Sequence, residues 1–383
     1  MWQSVKQFFK TSVRRLDLVL FACSSILTVM SLLTIWGARD NFGTSKFVMQ
    51  VAMTMLGILC MLFIVKLDYR ELVDKFWLIF IVGSAALLSI TLLFGISGIN
   101  NDTANRSWLT IVKIGGRAFM IQPSEFVKVA FIISFSKHLS LIKGTINHPK
   151  TLAALAAHAG LIVGLILLSG DLGVALVYLG IIAIMLAFAG LSVWYFVGTF
   201  AALFVAFPFV WPMLAEYQQK RILVGFQPEL DPTVWGWQAL LSRDAITSGG
   251  VFGRGLYGGA FYEELPASHT DFIFSTYCEK FGFFGAILLI AVLVMLVLRI
   301  IAIARNCKSD FGALICIGVA AMFVVQSVEN LGMCLAILPV IGITLPFMSA
   351  GGSSMLALYL AVGMVHSISS YEKQYVFEKR RKR

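Results

Sequence analysis

The apolar residues of this chain do not form stripes of period 3.6 or 2. They come as unbroken runs separated by short polar stretches. A helical run crosses about 30 Å of hydrocarbon when it holds roughly 17–25 residues. Ten such runs can be drawn, at 17–36, 46–66, 76–95, 123–140, 151–169, 172–190, 193–214, 276–298, 311–337 and 352–370. The pattern predicts an all-α polytopic membrane protein with about ten transmembrane helices, forming one membrane domain over 1–383. The least membrane-like stretch, 215–271, is a large loop between the seventh and eighth helices, and 1–16 and 371–383 are polar ends. A structureless connection of that length is uncommon unless it performs a function.

Composition agrees: of 383 residues, 59% are hydrophobic and only 13% charged, which excludes an ordinary soluble domain. The net charge of +10 is mostly a topology signal. With both termini inside, Lys6, Lys10, Arg14 and Arg15, then Lys66, Arg70 and Lys75, then Lys137, Lys143 and Lys150, then Arg299, Arg305 and Lys308 fall on the cytoplasmic side with the tail cluster Glu378 to Arg383. That tail suits anionic membrane lipid, and no nucleic acid is expected as a partner because nothing else in the chain supports one. The large loop then lies outside. The six cysteines show no paired spacing, so neither a disulfide framework nor a zinc site is expected. No Walker-type lysine is present, and no organic cofactor is expected. The first apolar run lacks a small-residue cleavage site and reads as a retained helix.

Polar residues at the ends of the runs carry the candidate chemistry. Asp271, in Leu265 to Phe274, sits at the lip of an apolar helix, as a cap or as a functional carboxylate. Glu125 and Lys128 lie one turn apart after Gln122-Pro123-Ser124 and predict an i,i+3 ion pair. Desolvation of several kcal/mol per ion favours a water-filled functional cavity there over a structural clip. Asp171, in Ser169-Gly170-Asp171-Leu172-Gly173, is a helix cap or a further acid at the depth of Asp271. Trp108 is a belt anchor or a sugar face, and Arg106 beside it suits a phosphate. Lys220, Arg221, Arg243 and Arg254 supply cations in the large loop, and its glycines permit close backbone approach. From Leu338 to Ser354, Pro and Gly break regular helix, and the segment holding Ser349, Gly351, Gly352 and Ser353 either is a hinge or presents backbone N–H groups to an anion.

Taken together, Gln122-Pro123-Ser124-Glu125, Gly170-Asp171-Leu172-Gly173, His269 to Phe274, Leu338 to Gly342 and Gly351 to Ser354 resemble, in order and depth, the SEDS family of RodA, FtsW and SpoVE. The resemblance covers all ten runs. It implies a peptidoglycan glycosyltransferase of the bacterial cytoplasmic membrane that polymerises lipid II on the outer face, with a class B penicillin-binding protein as transpeptidase. It further implies that Asp271 is essential and that Trp108, Glu125, Lys128 and Asp171 line the same cavity. Arg106 and Arg221 are implied as contacts for the lipid-linked pyrophosphate, and His269, Ser349, Gly351, Gly352 and Ser353 as neighbours of the site. The chain departs from the pattern at Ala350, where a tyrosine is usual, at Glu279-Lys280, where an acidic pair is often found, and at Ser169-Gly170.

The chemistry expected from this is proton abstraction by Asp271 from the 4-hydroxyl of lipid II, with Lys128 and the outer arginines offsetting charge on the departing pyrophosphate. A divalent cation, Mg²⁺ or Mn²⁺, held by Glu125 and Asp171 or by the pyrophosphate itself, is an open alternative to a metal-free site. Two rival readings are a lipid II flippase, which needs a site reachable from both faces, and a non-catalytic scaffold for the transpeptidase.

Overall fold

The computed structural model describes residues 11–96, 106–114, 117–213 and 216–381; expectations resting on Lys6, Lys10, Lys382 and Arg383 lie outside them. In chain order the elements are α1 (Leu18–Gly37), α2 (Arg39–Phe42), α3 (Thr44–Ile64), α4 (Tyr69–Phe94), β1 (Leu109–Ile114), β2 (Arg117–Ile121), α5 (Pro123–Leu141), α6 (Pro149–Leu168), α7 (Leu172–Phe188) and α8 (Val193–Val210). They continue with α9 (Glu216–Phe226), α10 (Trp237–Ser248), α11 (Phe261–Glu264), α12 (Ile273–Asn306), α13 (Asp310–Cys334) and α14 (Gly352–Arg381).

Each of the ten expected runs holds one long helix. Eight of these helices are long and apolar enough to cross a membrane. The other two depart for visible reasons: α7 has only 17 residues, and α5 carries Glu125, Lys128 and Lys137. Buried residues concentrate on α13, α5 and α14, which form the centre, whereas α8 buries none of its residues and lies at the periphery.

The all-α expectation holds, and three features add to it. The loop after α4 contains one antiparallel hairpin, β1 on β2. The large loop folds into α9, α10 and α11. The last helix, α14, continues through the basic tail to Arg381.

The eighth long helix is broken. Gly282 takes φ 67°, ψ −164° inside α12, a conformation that only glycine adopts without strain. A break in a helix strands backbone donors and acceptors. Here the glycine-rich stretch after α10 satisfies them: Phe283 N–H donates to Gly250 O at 2.9 Å, while Glu279 O and Lys280 O accept from Arg254 N at 2.8 Å and Gly255 N at 3.0 Å. The loop thus splints the break, which explains its glycines by close backbone approach.

At the end of the bundle opposite the large loop, acids and bases tie the helices together. Asp17 caps α1 through Leu20 N at 3.3 Å and receives Arg299 from α12 on both oxygens, at 2.8 and 2.6 Å. Glu372 on α14 accepts from Arg70 at 2.9 Å, Tyr69 OH at 3.1 Å and Lys308 N at 3.3 Å.

Candidate functional site

Asp271 lies on the loop between α11 and α12, and the chain around it is held as a harness. Three consecutive carbonyls are held: His269 O accepts from Ala350 N at 2.8 Å, Thr270 O from Ser349 Oγ at 2.7 Å, and Asp271 O from Asn330 Nδ2 at 2.7 Å and Cys334 Sγ at 3.7 Å. The Asn330 amide also donates to Ile343 O at 2.6 Å, so one fully buried side chain joins the Asp271 loop to the loop after α13. Gly342 (φ 75°) completes the fit, because a Cβ there would stand 3.3 Å from Asp271 Oδ2. Among the described residues three non-glycine side chains have positive φ, Ala267 (53°), Ala336 (58°) and Phe347 (61°), and all lie in these two loops. Each costs of order 1–3 kcal/mol and persists only where surrounding structure dictates it, a pattern that clusters at working sites.

Burial pushes the Asp271 carboxyl up to about 6; the Thr270 side chain lowers it and the Asp171 charge raises it further. Asp171 caps α7 through Val174 N at 3.1 Å, receives Gln122 Nε2 at 3.2 Å and bonds Ser107. Burial raises its carboxyl as well, and Glu125 adds to the rise. Glu125 and Lys128 form the expected pair at 2.8 Å, both buried. Glu329 on α13 lies within electrostatic reach of Lys128, and its Oε2 is buried without a hydrogen-bond partner. Three carboxylates, Glu125, Asp171 and Glu329, therefore lie within electrostatic reach of one ammonium, and Asp271 adjoins them through Asp171.

Other expected residues are placed differently. Arg106 anchors its loop through N–H to Ser169 O at 2.9 Å, and its guanidinium turns to Leu92 O at 3.5 Å. Trp108 pairs with Ile96 through both backbone groups. Arg221 lies on α9, which packs through Gly225 against Pro339 of the loop after α13. The backbone N–H groups expected to face an anion are engaged within the protein: Ala350 N by His269 O, Gly351 N by Gln50 Oε1 at 3.3 Å. Gly352 opens α14, and Ser353 Oγ accepts from Gln122 N at 3.0 Å. Ser349, Ser353 and the Gly351 N–H thus bind the loops to one another.

No three His, Cys, Asp or Glu side chains among the described residues come together to hold a metal ion. Glu125 faces Lys128, and Asp171 caps α7 and receives a glutamine.

The Glu279-Lys280 departure is structural. Glu279 accepts the N–H groups of Ala260, Phe261 and Tyr262 at 2.8–3.1 Å. The Lys280 ammonium donates to Gly37 O, Leu256 O and Gly258 O at 3.1–3.3 Å and lies 4.0 Å from the Tyr262 ring centroid.

The sequence singles out Glu329-Asn330-Leu331-Gly332-Met333 near the end of the ninth apolar run but gives Glu329 and Asn330 no role. Their roles come from contacts with Asp271 and Lys128, distant in sequence, so the one local signal was a carboxylate inside that run.

A family profile described as "Cell cycle protein", covering FtsW, RodA and SpoVE, matches residues 13–374. A probable peptidoglycan glycosyltransferase FtsW of Trichlorobacter lovleyi is 33% identical over 374 residues, 92% of this chain and 93% of its own length. Stage V sporulation protein E of Bacillus subtilis is 32% identical over 371 residues, covering 93% of this chain and 98% of that one. A chain from a peptidoglycan synthase complex, solved to show how polymerization and crosslinking are coordinated, superposes with a TM-score of 0.80 at 28% identity, covering 94% and 99% of the two chains. The rod shape determining protein RodA of Thermus thermophilus superposes at 0.67 with 25% identity, covering 92% and 96%.

Proposed function

The chain belongs to the FtsW, RodA and SpoVE family, and on that premise we propose that it is a peptidoglycan glycosyltransferase, polymerising lipid II into glycan strands at the outer face of the cytoplasmic membrane. In this reading both termini are cytoplasmic, the region 215–271 is extracytoplasmic and the whole chain is one membrane domain. The observation that carries the reading is Asp271: a carboxyl raised to about 6, on a loop harnessed at three successive carbonyls. A general base works best with a pKa near the operating pH, within hydrogen-bond reach of the proton it removes.

Asp271 takes the proton of the 4-hydroxyl on the incoming lipid II. That oxygen bonds to the anomeric carbon of the growing strand as the bond from that carbon to the pyrophosphate oxygen breaks. Undecaprenyl pyrophosphate leaves with the electron pair. Cations near the leaving group offset its charge. A divalent ion, Mg²⁺ or Mn²⁺, would arrive on the pyrophosphate rather than in a protein-built cage, since Glu125 and Asp171 are engaged. The partner in this reading is a class B penicillin-binding protein, in keeping with the synthase complex that the fold resembles.

Purified protein with lipid II and its transpeptidase partner should make glycan strands, and Asp271→Asn should not. Normal polymerisation by Asp271→Asn sinks the assignment. The flippase and scaffold readings gain from translocation without polymerisation, or from Asp271 variants that still support growth.

A further inference from the structure

The carboxylates of Glu125, Asp171 and Glu329 around Lys128, with Asp271 beyond Asp171, raise a difficulty for an anionic substrate. At formal charge the cluster is negative, and the Lys128 ammonium is already opposed by Glu125 at 2.8 Å. A lipid-linked pyrophosphate brought there meets repulsion before it meets a cation. Polymerisation, moreover, holds two such substrates at once, the growing strand and the incoming unit.

A second cation stands against the other flank of the Asp271 loop. Lys46, in the first turn of α3, places Nζ 2.9 Å from His269 Nε2. Lysine only donates, so this imidazole nitrogen accepts and His269 is neutral. Burial and the Lys46 charge hold the imidazole down at about 4, in agreement. No carboxylate lies within ion-pair distance of Lys46 among the described residues. A half-buried ammonium whose partner is neutral leaves its full charge, and two of its three protons, for a ligand. Phe42 lies 5.2 Å from the His269 ring, and Phe47, next to Lys46 in sequence, packs on Trp36 at 4.9 Å. His269 is two residues from Asp271, a separation of at most about 7 Å along extended chain.

Resting on the glycosyltransferase reading, we infer that Lys46 and His269 form a second anion subsite, distinct from Lys128, that takes the pyrophosphate of one of the two lipid-linked substrates. The ammonium binds the phosphate oxygens, the imidazole aims the ammonium, and the aromatic wall covers the start of the prenyl chain.

The test measures undecaprenyl pyrophosphate binding to full-length protein in nanodiscs, alongside steady-state polymerisation of lipid II. Loss of one charge-assisted contact predicts binding about 10- to 100-fold weaker in Lys46→Gln. The same variant should show a larger change in KM for lipid II than in kcat, and Lys46→Arg should recover much of both. His269→Gln keeps an acceptor for Lys46 and should lose less than His269→Leu. A merely structural lysine would lower thermal stability and leave ligand affinity of the folded protein at the wild-type value; that result overturns the subsite. If wild type makes no glycan yet binds undecaprenyl pyrophosphate through Lys46, the glycosyltransferase reading fails and the subsite stands. If wild type makes glycan and Lys46→Gln binds and polymerises as wild type does, the subsite fails alone.

Discussion

Both ends of the helix bundle bury acids, and they treat them in opposite ways. At the end away from the large loop, Asp17 accepts from Arg299 through both oxygens and from a backbone N–H, and Glu372 accepts from an arginine, a tyrosine and a backbone N–H. At the other end Glu125, Asp171 and Glu329 share the field of one ammonium, and Glu329 keeps an oxygen with no partner. A buried acid that only holds helices together is saturated with donors, because each unmet acceptor costs stability. One left under-supplied, next in sequence to the residue that holds a strained loop, has another use. Glu279 shows that the distinction is not one of location. It lies eight residues past Asp271, yet three backbone N–H groups saturate it, which marks it as structural.

Four substitutions would break or sharpen that contrast. The largest effect belongs to Asp271→Asn, which should lower polymerisation by about 10²–10⁴-fold in a lipid II assay. The same change should raise Tm. A carboxyl whose folded pKa is raised to about 6 penalises the fold above that pH, and the penalty is relieved as pH falls through 6 toward the ordinary value of 3.8. By the same sign, wild-type activity should drop on the acid side of about pH 6 as the base is protonated, read from the pH profile of kcat/KM.

Lys128→Met comes next. It strands Glu125 in a buried position at a cost of about 3–5 kcal/mol, and the double variant with Glu125→Gln should recover thermal stability without recovering polymerisation. Recovery of both would make the pair a clip like those at the opposite end.

Asn330→Leu removes two donors, leaving the Ile343 carbonyl unmet and the Asp271 carbonyl only the weak Cys334 thiol, at about 1–3 kcal/mol for an unmet group. The expected signature is a lower kcat with little change in KM, since the harness places the base without touching the substrate. The smallest functional effect belongs to Arg299→Met, which should cost stability in a thermal melt and leave the kcat of the folded protein near wild type.

The sequence made the long helices legible because burial in lipid needs only length and apolarity, both local quantities. The Glu125–Lys128 pair was equally legible, as helical spacing alone sets two residues one turn apart. Asp271 stood out as a charge at an apolar boundary. The hairpin was missed although Leu109 to Ile114 and Arg117 to Ile121 flank two glycines, a turn signal that a polar-loop reading passed over. The harness, Lys46 on His269, and the break at Gly282 were hidden for one reason: each is completed by groups from far along the chain, and no window of sequence contains both halves. The contacts that Arg106 and the Ser349 to Ser353 stretch make within the fold were equally out of view, since their partners Leu92, Thr270 and Gln122 lie in other segments.

The break at Gly282 has a mechanical consequence. A continuous rod would carry every tilt of the membrane-embedded part of α12, and every change in bilayer thickness, straight to residue 273 and so to Asp271. Here the rod stops at Gly282, and the segment above it is fastened sideways to the glycine-rich loop. The joint uncouples the carboxylate from the lower part of α12, so its aim is set by the glycine-rich loop and by the hold that Asn330 and Ser349 have on its own loop.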